Sequence, residues 1–250
     1  MTDTILSHRT IREYKPDPIP EPILEYILEA GTRASTTGNM QVYSIISTTD
    51  KSIKEELAPC HFNQPMVKEA PVVLTFCADF NRFNKWCRLR GAKPGYDNFL
   101  SFMTAAIDAL LVAQNVCVAA EDAGLGICYL GTTTYMAERI IEILDLPLGV
   151  VPVTTVTLGY PDESPELTDR LPLDAVLHHE KYNDYNDEDI DKYYQKKELI
   201  TTYQEFVKEN NKETLAHVFT DVRYKKEDNV LFSRTLIEVL EKQGFMNHQE

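Results

Sequence analysis

The sequence predicts an α+β fold, and three observations lead to this prediction. The run "APVVLTFCAD" (70–79) is apolar and β-branched at strand length, which is typical of a central strand covered on both faces. Residues 99–123 are apolar nearly all round, which indicates a core helix within the domain or at an oligomer interface. The chain contains no internal repeats, which excludes repeat architectures.

The remaining elements of the core follow in order along the chain. A first helix is predicted in "PEPILEYILEAGTRA", where Ile23, Leu24, Ile27 and Leu28 share one face and Gly31 stands near the end. Gly124 ends the long helix. Further strands are predicted at "QVYSIIST", "GICYLG" and "VVPVTTVTLGYP", and further helices at "KSIKEELAPC" and "MAERIIEILDLP".

The character of the chain changes after about residue 172. The segment that follows is polar, charged and rich in tyrosine, and it leads into an amphipathic helix, "NVLFSRTLIEVLEKQGF", that ends at Gly244. We therefore predict a core domain over 1–172 and a helical excursion over 173–250, whose last helix packs back on the core.

Charge and cysteine content restrict the possible partners. The formal net charge of −14 argues against broad binding to nucleic acid or to an anionic membrane. We recognise no signal peptide and no apolar run long enough for a membrane span. The five cysteines form no C-x-x-C pair, which is typical of reduced thiols. We expect a cytoplasmic protein without nucleic-acid or membrane partners.

Common catalytic and metal-binding motifs are missing from the sequence. The glycines at 124 and 126 follow a helix and lack the third glycine of a dinucleotide fingerprint, and there is no phosphate-binding loop or nucleophile elbow. His178 and His179 lack metal-ligand spacing, and Asp189 occupies the position where a calcium loop requires glycine. We therefore expect no metal site.

Two polar clusters remain. The first, "HRTIR", combines arginine forks, a histidine and a hydroxyl, a donor set suited to phosphate. The second, "RASTTGNMQ", presents consecutive hydroxyl and amide groups between a helix and a strand, which suit a polyol or the edge of a heterocycle. Taken singly, each cluster also fits a simpler interpretation, a charged entry segment or a polar loop.

Together, these clusters resemble a known family. The stretch "HRTIREYKPDPIPEPILEYILEAGTRASTTGNMQVYSI" resembles the opening of flavin-dependent nitroreductases, specifically the NADPH-type oxygen-insensitive nitroreductase and flavin reductase branch. Three later segments extend the resemblance in the same order over essentially the full length: "NQPMVKEAPVVLTFCAD", the long stretch from "VAAEDAGLG" to "TDRLP", and "FSRTLIEVLEKQGF".

The resemblance implies a nitroreductase-like fold. Its central, mainly antiparallel sheet would be flanked by helices, and two chains would form an intertwined homodimer with one FMN per subunit at the interface. The resemblance implies that the phosphate, ribityl and pyrimidine groups of FMN contact His8, Arg9, Thr10 and Arg12, and that Arg170 also holds the phosphate. Gln64 would read the pyrimidine edge, and the strand-end segment Tyr129, Leu130, Gly131 and Thr132 would lie near N5. The implied loop contacts are Ser35, Thr36, Thr37 and Asn39.

The sequence departs from the family pattern at two positions. Thr132 stands where a second glycine is commoner, which changes the pocket over the flavin ring. Thr168 stands where a lysine often precedes Arg170, and Asp169 lies between them, so one phosphate cation is missing and an acid is adjacent.

The implied activity is NAD(P)H-dependent reduction of nitroaromatics, quinones or flavins, with ping-pong hydride transfer through flavin N5. The cofactor performs the chemistry, so we assign no catalytic acid or base. Cations for a 2′-phosphate of NADPH are available at Lys196, Lys197, Arg223, Lys225 and Lys226, which are also consistent with a solvated helix surface. The alternatives are an FMN-binding redox sensor with little turnover and a non-flavin protein that docks through its tyrosine-rich segment.

Overall fold

The computed structural model describes residues 2–248, and the chain divides into two compact units. The core unit contains the residues up to Glu166 together with those from Phe232 onward. The second unit is Leu167–Leu231. Each unit is described by itself below.

A four-stranded antiparallel sheet forms the centre of the core unit. Its strands are β1 (Tyr43–Thr48), β2 (Val72–Asp79), β3 (Gly126–Leu130) and β4 (Val150–Gly159), in the order β1-β2-β4-β3. Every residue of β2 is buried, because neighbouring strands lie on both sides and the long helix of residues 99–122 packs against it. The predicted α+β class, the antiparallel sheet and the central position of "APVVLTFCAD" are confirmed.

Eleven helices are found in the described residues. They are α1 (Thr2–Leu6), α2 (Glu21–Thr32), α3 (Lys51–Leu57), α4 (Met66–Glu69), α5 (Asn81–Leu89), α6 (Phe99–Asp122), α7 (Ala137–Ile143), α8 (Asp187–Glu198), α9 (Thr201–Glu209), α10 (Leu215–Val218) and α11 (Lys226–Lys242). Sequence analysis did not predict α1 or α5, because one is a single short turn and the other is mostly polar. The aromatic ring of Phe83 nevertheless anchors α5 against Phe80 and Tyr96.

The long helix α6 packs on the sheet and on α2. Its buried residues recur on one face, from Phe102 to Ala120, and Gly124 follows its end with a φ of +81°. Gly31 lies inside α2 and allows the two helices to approach, since a Cβ at Gly31 would lie 2.3 Å from Cγ2 of Val116. Gly31 therefore serves helix packing as well as standing near the end of α2.

The opposite side of α6 is exposed and apolar. Its exposed apolar side chains are Phe99, Leu100, Met103, Ile107, Leu110 and Leu111, with Leu100 74% exposed. By length and composition alone this helix could cross a membrane, but half of its most apolar 18-residue stretch is buried within the fold. In the single chain, α6 is thus a core helix with an uncovered apolar face.

The segment after α1 extends the sheet beyond β3. Thr10 pairs with Ile127 in parallel, and the backbone N–H of Ile11 donates to the carbonyl of Ile127 at 2.9 Å. Gly126 permits this approach, because a Cβ there would lie 2.7 Å from Ile11. The hydroxyl of Tyr14 fixes the segment further by donating to the Ile11 carbonyl at 2.7 Å.

We predict that Gly31→Ala lowers the free energy of unfolding by about 2 kcal/mol, because the added methyl group overpacks the stiff Val116 side chain. Urea unfolding measures the loss. Gly95→Ala is the matched control, since no atom lies within 4 Å of the Cβ position there. Equal stability of the two variants would contradict the close crossing of α2 and α6.

Candidate functional site

Strand pairing places the N-terminal cluster beside the end of β3. Because residues 10 and 11 run parallel to Ile127, the cluster 8–12 lies along the same strand whose end carries Tyr129 and Leu130. Two segments separated by more than a hundred residues in the sequence therefore meet at one edge of the sheet. This edge is the first part of the candidate site.

His8 has a carboxylate partner that sequence analysis missed. Its Nδ1 lies 2.6 Å from Oε1 of Glu121 near the end of α6, and the Glu121 side chain is only 14% exposed. The contact orients the imidazole ring through one nitrogen. Glu121 carried no signal in the sequence, because acids are common in the last turns of helices.

Arg12 is held by its backbone while its guanidinium is free. The Glu163 carboxylate accepts the backbone N–H of Arg12, and it accepts the N–H of Glu13 at 3.1 Å. Arg12 is exposed, and its guanidinium has no hydrogen-bond or ion-pair partner within residues 2–248. The fold therefore presents this cation to a ligand.

Arg9 faces a cavity of about 460 Å³ that also contains the acidic side chains of Asp3, Glu121 and Glu163. Its Nε is buried and has no partner among the described residues. The nearby acids offset part of the Arg9 charge. Arg9 is half-buried whereas Arg12 is exposed, so Arg12 is the more accessible of the two arginines to an anion.

The residues at the end of β3 differ in exposure. The Tyr129 ring packs against the hydrophobic core and Leu130 is buried, so the side chains of both residues serve packing. Gly131 is exposed, and no protein atom lies within 4 Å of the position that a Cβ would take. Open space therefore adjoins the backbone at Gly131.

Thr132 contacts a histidine that sequence analysis did not single out. Its Oγ1 lies 2.8 Å from Nδ1 of His61, and both side chains are buried. Burial lowers the pKa of His61 to about 4, because the charged imidazolium would lose its hydration. The replacement of glycine by Thr132 thus ties the end of β3 to the segment around His61.

The same segment holds Gln64. The Gln64 backbone N–H donates to the His61 carbonyl at 3.1 Å, and Phe62 and Asn63 adopt left-handed φ values of 55°. Such strain in non-glycine residues is typical of functional sites. The Gln64 side chain is half-buried and has no hydrogen bond within the described chain. Its amide is free to read a ligand edge.

An aromatic cluster adjoins this turn. The Tyr135 and Phe232 rings stack with centroids 4.3 Å apart, and the Phe62 ring lies 6.3 Å from Tyr135 and 6.4 Å from Phe232. Phe62 is 55% exposed. These ring contacts hold the Phe62–Gln64 turn against α11. No periodicity in the sequence indicated this packing.

The hydroxyl-rich loop is anchored on α6. The backbone N–H of Thr37 donates to Oδ1 of Asp108 at 2.9 Å, and Asp108 is buried, with Oδ2 unpartnered in the described chain. Ser35 and Asn39 are exposed. No hydrogen bond or ring contact among residues 2–248 joins this loop to the N-terminal cluster or to the end of β3. The single chain therefore leaves the loop apart from the rest of the site.

Arg170 belongs to the second unit. Its guanidinium Nη1 donates to the carbonyls of Asp169 at 2.9 Å and of Thr168 at 3.3 Å. Arg170 is exposed, and no carboxylate pairs with it in the described part of the chain. This cation is also available to an anion.

We predict that His61 destabilises the protein in acid. The unfolded chain binds a proton near the ordinary histidine pKa of about 6.5, while folded His61 resists protonation down to about 4, so stability falls as the pH drops between these values. Between pH 7.5 and 5 we expect the flavin-free wild type to lose about 2 kcal/mol more than His61→Gln in urea unfolding.

The control is His217→Gln, which removes an exposed histidine that contacts a threonine in the same way, with Nδ1 2.9 Å from Oγ1 of Thr214. We expect this variant to show the pH dependence of the wild type. The same pH dependence in His61→Gln and wild type would contradict the burial of a neutral His61.

Comparison with known proteins places this geometry in a family. The model of the Nitroreductase family matches residues 5–160, which include the N-terminal cluster, the loop on α6, Gln64 and the end of β3. An NADPH-dependent oxidoreductase of Staphylococcus aureus (strain USA300) is 38% identical over 183 residues, which cover 72% of each chain.

Solved structures agree over the full length. A protein of Bacteroides fragilis NCTC 9343 has a TM-score of 0.97 and 57% identity, covering 98% of this chain and 100% of its own. The NADPH:FMN oxidoreductase of Vibrio harveyi, solved with NAD+, has a TM-score of 0.80 and 30% identity over 99% of both chains. The predicted resemblance is confirmed, and the chain belongs to the Nitroreductase family of oxidoreductases.

Proposed function

We propose that this protein is an FMN-dependent NAD(P)H oxidoreductase that reduces nitroaromatics, quinones or flavins by a ping-pong mechanism. Family membership supports FMN as the cofactor and NAD(P)H as the electron donor. The observation that carries the proposal is the open backbone at Gly131, flanked in the fold by segments that carry free donors at Arg12 and Gln64.

These residues fit a flavin in three respects. The empty space beside Gly131 allows a flat ring to approach the backbone, which a side chain at this position would obstruct. The Gln64 amide can donate and accept at once, as a pyrimidine edge requires. The exposed Arg12 guanidinium supplies a positive charge that no carboxylate of the described chain neutralises.

Bound FMN would supply the hydride-transfer chemistry between NAD(P)H and an acceptor, and Arg12, Gln64 and the backbone at Gly131 would hold its ring. The protein binds and orients the reactants. Arg12 stabilises negative charge at the pyrimidine edge, and Gln64 sets the orientation of that edge. The His61–Thr132 contact keeps the end of β3 and the Gln64 turn at a constant separation. No side chain is assigned as an acid or a base.

At the other end of the cofactor, His8, Thr10 and Arg170 are proposed to hold the phosphate and ribityl groups. The Glu121 carboxylate orients His8 through Nδ1, so the remaining ring nitrogen is left for a ligand. Arg9, whose charge is offset by nearby acids, has the smaller part. This assignment rests on the family pattern at these positions.

We also propose a homodimer built on α6. Its exposed apolar face includes Ile107, which adjoins Asp108, and Asp108 anchors the loop of Ser35, Thr36, Thr37 and Asn39. A second copy covering this face would meet the loop as well. The loop would then contact the partner's FMN, which explains why it lies apart from the site in a single chain.

The experiment that tests the function is a visible spectrum of the purified protein, followed by anaerobic titration with NADPH and NADH in parallel. We expect the spectrum of oxidised flavin and its bleaching by the pyridine nucleotide, followed by reoxidation when a quinone or nitroaromatic is added. A colourless protein that cannot be loaded with FMN would exclude the proposal, and bleaching without turnover would favour a redox sensor.

We predict that Arg12→Ala raises the dissociation constant of FMN about tenfold, because one charge-assisted contact is lost. Fluorescence quenching of FMN by the flavin-free protein measures the constant. Arg139→Ala is the matched control, since Arg139 is an exposed arginine paired with Glu142. Normal FMN affinity and normal flavin reduction in Arg12→Ala would remove Arg12 from the site.

We predict that Ile107→Asp weakens the dimer roughly a hundredfold, because a carboxylate would be buried in an apolar interface. Sedimentation velocity over a concentration series measures the change. Leu148→Asp, at a leucine that is 70% exposed elsewhere on the core unit, is the control and should leave the dimer intact. A monomeric wild type would contradict the proposed interface.

A further inference from the structure

The segment Thr168–Arg170 carries an arrangement of charges that the family pattern does not explain. Thr168 replaces a lysine, and Asp169 places a negative charge next to Arg170. Both changes should weaken the binding of a phosphate dianion at Arg170. The contacts of Asp169 within the second unit indicate how the chain offsets these two changes in charge. Their bearing on FMN rests on the proposed function.

Both oxygens of the Asp169 carboxylate are engaged. Lys197 in α8 donates to Oδ2 at 2.9 Å, and the Tyr203 hydroxyl in α9 donates to Oδ1 at 2.7 Å. Lys197 also donates to the Tyr203 hydroxyl at 3.1 Å, and its Nζ lies 4.5 Å from the centroid of the Tyr203 ring. The three side chains form a closed cluster.

The Lys197–Asp169 pair is more sheltered than the other lysine pair of α8. The side chains of Lys197 and Asp169 are 22% and 19% exposed, whereas those of Lys192 and Asp174 are 64% and 55% exposed. Water and salt screen a sheltered pair less. Burial would lower the pKa of Lys197, but its bonds to Asp169 and Tyr203 raise that pKa overall, so the lysine stays charged.

The arginine beside this cluster keeps its charge. Arg170 donates only to backbone carbonyls of its own segment, and no carboxylate pairs with it within residues 2–248. Because Lys197 cancels Asp169, the three charged groups sum to one positive charge, centred on the exposed guanidinium. Without Lys197 the sum is zero, and Asp169 becomes free to attract Arg170 and repel an anion.

We propose that Lys197 is a positioning residue that, by engaging Asp169, compensates for the lysine missing at Thr168 and keeps Arg170 available to the FMN phosphate. Lys197 acts through Asp169 and makes no contact with the cofactor itself. Because its charge is engaged by Asp169, Lys197 is no longer a candidate for binding the 2′-phosphate of NADPH.

The test compares four forms of the flavin-free protein: wild type, Lys197→Met, Asp169→Asn and the double variant. FMN and riboflavin, which lacks the phosphate, are titrated separately against each form by fluorescence quenching. Lys197→Met should raise the FMN dissociation constant about tenfold, and Asp169→Asn should lower it several-fold. The double variant should return to within about twofold of the wild type, because both opposite charges are gone.

Riboflavin separates this electrostatic effect from a structural one, since its affinity should be the same in all four forms. The effect on FMN should also shrink in 0.5 M NaCl, because salt screens the phosphate charge. Lys192→Met is the matched control, a lysine of the same helix whose removal leaves Asp174 unpaired, and it should leave FMN affinity unchanged.

Four outcomes would overturn the inference. Equal loss of riboflavin affinity in Lys197→Met would assign the cluster a structural role. Equal weakening in Lys197→Met and the double variant would mean that Lys197 contacts the phosphate directly. If none of the variants alters the FMN dissociation constant, Lys197 has no part in phosphate binding, and the proposed function is unaffected. A wild type that binds neither flavin would overturn both.

Discussion

The pairing of the N-terminal segment with β3 is the contact on which the candidate site depends. The hydrogen bond from the Ile11 N–H to the Ile127 carbonyl, together with the close approach at Gly126, places the Arg12 segment along β3, which leads to Gly131. Glu163 contacts the backbone of this segment, and the Arg12 guanidinium has no hydrogen-bond or ion-pair partner in the described part of the chain. A chain that is acidic overall thus presents an exposed arginine beside β3.

A second constraint is the buried contact between His61 and Thr132. It joins the end of β3 to a strained turn that carries Gln64, so the two segments proposed to contact the flavin ring cannot move independently. Where the family resemblance implies a second glycine, this chain has the buried side chain of Thr132. The substitution therefore changes the support of the site and leaves the open space beside Gly131 intact.

Charge is balanced locally in both units. His8 faces Glu121, Arg9 shares a cavity with three acids, and Asp169 is neutralised by Lys197. Within residues 2–248, no carboxylate forms an ion pair with Arg12 or Arg170. One small dianion needs few cations, so the net charge of −14 is compatible with binding FMN. The positions of the carboxylates therefore decide which cations can attract an anion.

The sequence by itself determined the α+β class, the buried strand β2, the long helix α6 and the family, because hydrophobic periodicity and the order of short polar motifs are local properties of the chain. The resemblance in the sequence also singled out Arg12, Gln64 and Gly131, and their contact with a flavin stays a prediction. Only the tertiary structure decided their partners, since Glu121, Glu163, His61 and Lys197 lie far from the residues they contact or carry no local pattern. The exposed face of α6 was likewise invisible, because an all-apolar helix does not indicate which side the sheet will cover.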